Sequence, residues 1–241
     1  MAEDTADSKI SPPPRDEHEE KRPGKLRAIQ YWFEWALLVA FWRILTLLPW
    51  QTALAVGAGA GEIAYRLGIR RKVVLANLAV AFPDWTNDQR RRVARQSYRN
   101  AGRTLAEYVL LPSLRPDQLE QLVEQVEGLG YTDLVEAGRK PVVVLTGHIG
   151  NWELMGAYFA RMGYSLKALA KPMHNPRIES ALLQTRRSLG LDVLYTGEGL
   201  KPAVRHLRQG GIVVFLADQD ARKAGIPIPF FGKPASTALG P

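Results

Sequence analysis

The sequence predicts an α/β fold: a mostly parallel central sheet flanked by helices, preceded by a membrane-associated N-terminal helix and a helical region. Three observations predict it. Short β-branched runs alternate with helical stretches after about residue 113. Residues 28–50 form a long, almost purely apolar segment. The stretch between them carries helix-capping signals and no strand-like run. The 241 residues suffice for one sizeable domain with a real core, and a hydrophobic content of 46% is that of an ordinary globular chain. There is no cysteine, which excludes disulfides, thiolate nucleophiles and cysteine-bound metals.

Taken in order, residues 1–27 are charged and Pro-rich with few apolar side chains, the composition of a disordered tail. Ala28 to Trp50, AIQYWFEWALLVAFWRILTLLPW, is close to the ~20 residues a helix needs to cross a bilayer. Trp32, Trp35, Trp42 and Trp50 lie towards its ends, as interfacial aromatics do. Glu34 and Arg43 interrupt it, nine residues apart and each near an end where it can snorkel. The segment therefore reads as a membrane anchor. A buried or interfacial helix is the alternative, and Ala53-Leu-Ala55 leaves a cleaved signal peptide as a third option. Gln51–Leu67 and Lys72–Phe82 are helical, the second stopped by Pro83. Thr86-Asn-Asp-Gln89 has the form of a capping box and opens a helix to about Leu110. Its expected apolar face is Ala94, Tyr98, Ala101, Leu105 and Tyr108. Arg92, Arg95, Arg99 and Arg103 form a second stripe, suited either to anionic partners or to a solvated face.

Beyond residue 113, Gly130–Ala137 reads as a short helix capped by Gly138. Strands follow at 141–146, 164–170, 191–195 and 212–217, with helices at 151–162, 175–189 and 198–208 between them. Strands alternating with helices imply right-handed crossovers and a largely parallel sheet, whose working residues sit at the carboxyl ends of the strands.

The strongest chemical signal is TGHIGNWE, Thr146 to Glu153, directly after the most strand-like run. His148 is expected on a Gly-flanked turn beyond a strand end, where a neutral imidazole serves as general base. Glu153 is expected in the first turn of the next helix, folded back to orient the imidazole. A histidine at a strand end also serves purely structural roles. With no serine or cysteine nucleophile in the motif, the natural chemistry is direct attack by an acceptor hydroxyl. Asn151 and Trp152 suit shaping of the turn. His174 and His206 have no His-x3-His or His-x-His partner, which argues against a metal.

His-x4-Glu in this setting resembles the signature of the bacterial lipid A biosynthesis (late) acyltransferases, within the lysophospholipid acyltransferase superfamily. VVLANLAVAFP, ending at Pro83, resembles the family's Asn-Leu and Phe-Pro region. Lys171 to Pro176, Arg186 with Gly190, Asp218-Gln219, and Phe230-Phe-Gly232 with Ala235, Thr237 and Gly240 resemble further pieces in the same order. The resemblance covers roughly Ala28 to Pro241 and implies a glycerolphosphate-acyltransferase-like domain over residues 51–241, C-terminally incomplete against related chains. It implies His148 as base and Glu153 as its partner. Arg186 is then a candidate for gripping phosphate or stabilising an oxyanion, with neighbouring Arg187 as a competitor. Asp218, Gln219 and Asn151 are candidate substrate contacts, though Asp218 and Gln219 suit tying down a loop equally well. Phe230 and Phe231 are expected in the core rather than on an acyl chain, and Gly225 in a turn.

The activity so implied is transfer of a fatty acyl group from acyl-carrier protein or acyl-CoA to a hydroxyl of a lipid A precursor. It would occur at the cytoplasmic face of the inner membrane, with no cofactor because the acyl group arrives activated. Other readings are acylation of a lysophospholipid or phosphatidylinositol mannoside, or a truncated non-catalytic membrane-bound relative. The basic excess sits in the folded part: residues 1–27 hold 6 basic and 7 acidic side chains of a chain with net charge +8. A basic surface also suits nucleic acid, but no nucleic-acid-binding motif is present.

Overall fold

The computed structural model describes residues 24–128, 141–196 and 200–238. The expected tail up to residue 23, the Gly130–Ala137 helix with its Gly138 cap, and Gly240 lie outside the described residues.

The N-terminal part is helical. Helix α1 spans Lys25–Thr46 and α2 Trp50–Arg66, so the expected 28–50 helix is cut short and Trp50 belongs to the next element. Pro49 is the reason: it lacks an N–H and disfavours helical backbone at the preceding residue, so the chain turns at Leu47-Leu48. Among the described residues, no helix is long and apolar enough to cross a membrane. Helix α1 carries apolar side chains on its outer as well as its inner face. Trp35, Leu38, Val39 and Trp42 face inward, and Leu26, Ile29, Phe33, Leu37 and Ile44 lie exposed on the outside. Glu34 does not snorkel. It accepts hydrogen bonds from Gln30 at 2.8 Å and from the buried amide of Asn175 at 3.0 Å.

Helix α3 spans Arg71–Ala81 and α4 spans Asn87–Leu110. The capping box is present: Thr86 N donates to Gln89 Oε1 at 2.7 Å and Gln89 N to Thr86 Oγ1 at 3.3 Å. The core face of α4 is only in part the expected stripe. Ala94 and Tyr108 are buried as expected, together with Ala106, Val109 and Leu110, and Tyr98 is half-buried, whereas Ala101 and Leu105 are exposed. The reason is backbone contact with α2. A Cβ on Gly57 would lie 2.4 Å from the Gly102 carbonyl, so the two helices cross where neither has a side chain. That seam turns Ala101 and Leu105 outward, while Tyr108, Val109 and Leu110 still pack inward. Of the arginine stripe, Arg95 pairs with Glu62 at 2.6 Å and Arg99 lies 3.9 Å from it. After a 3-10 turn at Leu111–Ser113, the short helix α5, Pro116–Gln121, follows.

The second part is the sheet. In chain order, β1 is Val142–Thr146, α6 Trp152–Arg161, β2 Leu166–Ala170, α7 Pro176–Ser188, β3 Leu191–Tyr195, α8 Lys201–Arg208 and β4 Ile212–Leu216. All pairings among them are parallel and the order is β1-β4-β2-β3. Ile212 and Val214 pack with Tyr164 and Leu166 on one face, while Val213 packs with Leu194 and Ala203 on the other. The helical part joins through Tyr108, Leu111 and Leu119 against Ala157 of α6. Strand β1 is an edge, with Leu145 74% exposed.

A hairpin with no counterpart among the strands expected from the sequence follows β4. Strands β5, Ile226–Phe230, and β6, Lys233–Thr237, pair antiparallel across Phe231-Gly232, both at positive φ. Phe230 and Phe231 are exposed rather than in the core. They sit at a hairpin tip, where Phe231 meets the Phe82 ring edge-on at 5.3 Å and packs against its neighbour Phe230. Gly225 is extended, not a turn residue, and a Cβ there would lie 2.3 Å from Ser236 Oγ.

Candidate active site

Strand order builds the site. Because β1 and β4 are parallel neighbours with Thr146 opposite Leu216, the residues two positions past each strand meet. These are His148 and Asp218. Asp218 Oδ2 accepts the backbone N–H of His148 at 2.7 Å and Oδ1 lies 2.7 Å from its ring Nδ1. Gly147 leaves room for the carboxylate, since a Cβ there would come 3.0 Å from Asp218 Oδ2. The Trp152 ring stands edge-on to the imidazole, centroids 4.6 Å apart at 72°.

Burial pushes the Asp218 carboxyl upward, but the hydrogen bonds from the His148 ring and backbone outweigh it and hold the carboxyl below its ordinary value. Asp218 is then ionised and accepts only, so the proton of a neutral His148 sits on Nδ1. That leaves the Nε2 lone pair free to take a proton. The Gln219 side-chain nitrogen lies 3.3 Å from it, donating. The two side chains of the dyad are 34% and 36% exposed, so the site is open to solvent and to ligand.

Glu153 has a different partner from the one expected. It lies in the first turn of α6, where its carboxylate meets Arg186 of α7, at 2.5 Å from the guanidinium nitrogen and 3.2 Å from Nε. No hydrogen bond or ion pair joins it to His148 among the described residues. The imidazole leans across to the neighbouring strand end, while the helix turns Glu153 the other way. The Glu153–Arg186 pair is largely buried, at 12% and 22% exposure. Burial pushes the Arg186 guanidinium down, and Glu153 more than restores it. Arg186, expected to grip phosphate or an oxyanion, commits Nε and one terminal nitrogen to Glu153. Beside it the Tyr108 hydroxyl donates to the Leu182 carbonyl at 3.2 Å. Burial and the Glu153 charge raise that phenol, so it stays protonated.

Asn151, a candidate substrate contact, has both ends of its amide engaged within the protein. Its oxygen accepts the Leu154 N–H at 2.9 Å as the N-cap of α6, and its nitrogen donates to Glu107 Oε2 at 2.7 Å. Glu107 carries no signal in the sequence, since it sits within α4 with no motif around it. Asp218 does carry one: it follows β4 by the same two residues by which His148 follows β1. His206 is buried with Nε2 3.1 Å from the Ser165 carbonyl, and burial depresses its pKa. His174 lies 3.6 Å from Glu34. Among the described residues, no group of three or more His, Asp or Glu is arranged to hold a metal.

An apolar groove of about 520 Å³ lies between α1 and α7, walled by Trp35, Leu38, Val39, Trp42 and Ala181, with Arg43 at its rim. His148 is not among its walls.

Residues 19–241 match the family model described as bacterial lipid A biosynthesis acyltransferase. The chain is 25% identical over 214 residues to a phosphatidylinositol mannoside acyltransferase of Mycobacterium tuberculosis, covering 86% of this chain and 67% of that protein. It is 27% identical over 212 residues to a lipid A biosynthesis acyltransferase of Haemophilus influenzae, covering 86% and 66%. It is 25% identical over 215 residues to the lipid A biosynthesis lauroyltransferase of Escherichia coli, covering 88% and 69%. The chain thus spans about two thirds of the length of these curated relatives. With the match running from before α1 to the last residue, the chain belongs to the bacterial lipid A biosynthesis acyltransferase family and is an acyltransferase.

Proposed function

We propose that this chain transfers a fatty acyl group from a thioester donor to a hydroxyl of a membrane glycolipid or phospholipid, with His148 as general base. The observation that carries the reading is the hydrogen bond between His148 Nδ1 and Asp218. It supports a revised dyad, in which Asp218 rather than Glu153 orients the imidazole. The acceptor hydroxyl gives its proton to Nε2 as its oxygen attacks the thioester carbonyl carbon. The tetrahedral intermediate then collapses, the C–S bond breaks, and the proton on Nε2 passes to the leaving thiolate. Asp218 stabilises the imidazolium formed between these steps. Gln219, already donating to Nε2, must give way to the acceptor and is the nearest side chain to contact its oxygen. Glu153 and Arg186 brace α6 against α7 behind the turn.

The donor is acyl-carrier protein or acyl-CoA, and the acceptor a lipid A precursor. The relatives of similar identity are named for lipid A and for phosphatidylinositol mannoside alike, so both acceptors belong in the test. The outward apolar face of α1 supports placement in the plane of the membrane interface, at the cytoplasmic face where both donors are made. The test offers purified protein each labelled donor with lipid A precursor, phosphatidylinositol mannoside and lysophospholipid. Transfer to one acceptor that disappears in His148→Ala is expected. Transfer to none, or transfer unaffected by the substitution, refutes the reading.

A further inference from the structure

The turn that carries His148 has little to hold it from within. Gly147 and Gly150 bracket it, Gly150 sits at φ +62°, and Ile149 between them is 85% exposed and adds no packing. One end is fixed by β1 and by the Asp218 carboxylate. The other end is Asn151, and what fixes Asn151 comes from outside the sheet. Its Nδ2 donates to Glu107 Oε2 at 2.7 Å, while its Oδ1 caps α6 through Leu154 N.

Glu107 is well placed to serve as a fixed point. It lies on α4, whose next three residues, Tyr108, Val109 and Leu110, are all buried. Helix α4 is also seated on α2 at the Gly57–Gly102 crossing, where the backbones leave no room for a Cβ. Among the described residues, the only hydrogen bond of the Glu107 carboxylate goes to Asn151, and no ion pair joins it to Arg103 one helical turn earlier. Tyr108, the next residue, ties the same end of α4 to α7 through the Leu182 carbonyl. Two consecutive residues of one rigid helix thus hold the two elements that meet at the site.

We propose that Glu107 is a positioning residue for acyl transfer: through the Asn151 amide it sets the His148 turn, and with it the direction of Nε2, against the helical part of the protein. The inference rests on His148 being the base. A misplacement of about 1 Å at a reacting group costs as much as a hundredfold in rate, and the contact with Asp218 holds the turn from the opposite side alone.

The experiment compares Glu107→Ala, Glu107→Gln, Asn151→Ser and His148→Ala in the purified full chain. Turnover is measured per folded molecule with labelled acyl donor, and the low-field proton of the His148–Asp218 hydrogen bond is followed by NMR. Glu107→Ala lowers kcat by about 10- to 100-fold with KM little changed, and broadens the low-field proton. Glu107→Gln keeps an acceptor oxygen for Asn151 and restores both. Asn151→Ser keeps the helix cap but cannot reach Glu107, so it reproduces the Glu107→Ala defect and reads the same link should that variant fold poorly. In the Glu107→Ala/Asn151→Ser double variant the loss is no larger than in either single one. Wild-type kcat in folded Glu107→Ala and Asn151→Ser, with the low-field proton intact, overturns the proposal while leaving the base assignment standing. Wild-type kcat in His148→Ala overturns the base assignment and this proposal with it.

Discussion

Asp218→Asn is the perturbation that separates the observed dyad from the one the local motif suggests. The carboxylate uses both oxygens on His148, each at 2.7 Å: one on the backbone N–H, one on the ring. An amide of the same shape offers one oxygen and one NH2 group. If the oxygen keeps the backbone, the NH2 faces Nδ1, and the ring answers by moving its proton to Nε2. The lone pair then points at the introduced amide and the acceptor meets no base. If the oxygen keeps the ring, the backbone N–H of His148 faces a donor and the turn shifts. In either case the negative charge that stabilises the imidazolium is gone. General-base catalysis contributes about 10²- to 10⁴-fold. With His148 and Asp218 34% and 36% exposed, water takes up part of the loss, so a fall in kcat of about 10²- to 10³-fold is expected, or roughly 3–4 kcal/mol. The assay is steady-state transfer from labelled donor, normalised to folded protein by thermal unfolding. Asp218→Asn within about threefold of wild type, alongside a larger drop in folded Glu153→Gln, would restore Glu153 as the orienting acid and refute the reasoning.

Three further outcomes follow from the same geometry. Glu153→Ala strands the largely buried Arg186 guanidinium and is expected to destabilise the fold by about 3 kcal/mol, read as a lower denaturant midpoint; replacing both partners with apolar residues recovers much of it. The folded pKa of Asp218 lies below its ordinary value, so its contribution to stability is fully present above about pH 4 and is lost as pH falls through the folded pKa; Asp218→Asn should therefore flatten the acid limb of a stability–pH curve below pH ~4. Gly147→Ala places a Cβ 3.0 Å from Asp218 Oδ2, and is expected to lower kcat by about tenfold or more with little change in melting temperature, checked by the same transfer assay.

Much of the fold is legible because local signals agree with tertiary demands. The four parallel strands are read from β-branched runs and Gly punctuation, and α4 from its capping box. Misreadings arise where a contact between distant segments overrides the local pattern. The glycine crossing of α4 with α2 leaves Ala101 and Leu105 exposed although the local pattern places them on the buried face. The N-terminal apolar segment looks continuous until Pro49 is given its weight. The β5–β6 hairpin depends on Phe231 accepting positive φ, which no propensity favours for that residue.

The site divides along the same line. His148 is legible because a strand followed by a Gly-flanked turn places it at a carboxyl end whatever the sheet order. Its acid partner is a different matter, because right-handed crossovers alone permit several orders of four parallel strands. Here β4 inserts between β1 and β2, and its pairing with β1 makes the turns after the two strands neighbours. Without that order, the nearest acid in sequence, Glu153, is the natural choice. Once the order is known, a dyad drawn from two adjacent strand ends is the sturdier arrangement. Each member is fixed by its own strand, and the ladder bond from Ala217 N to the Thr146 carbonyl, 3.1 Å long, locks the two ends together. Glu153, released from the imidazole, is free to brace α6 against α7. Of the candidate residues around His148, the ones that hydrogen-bond its ring, Asp218 and Gln219, are those about seventy residues away in sequence.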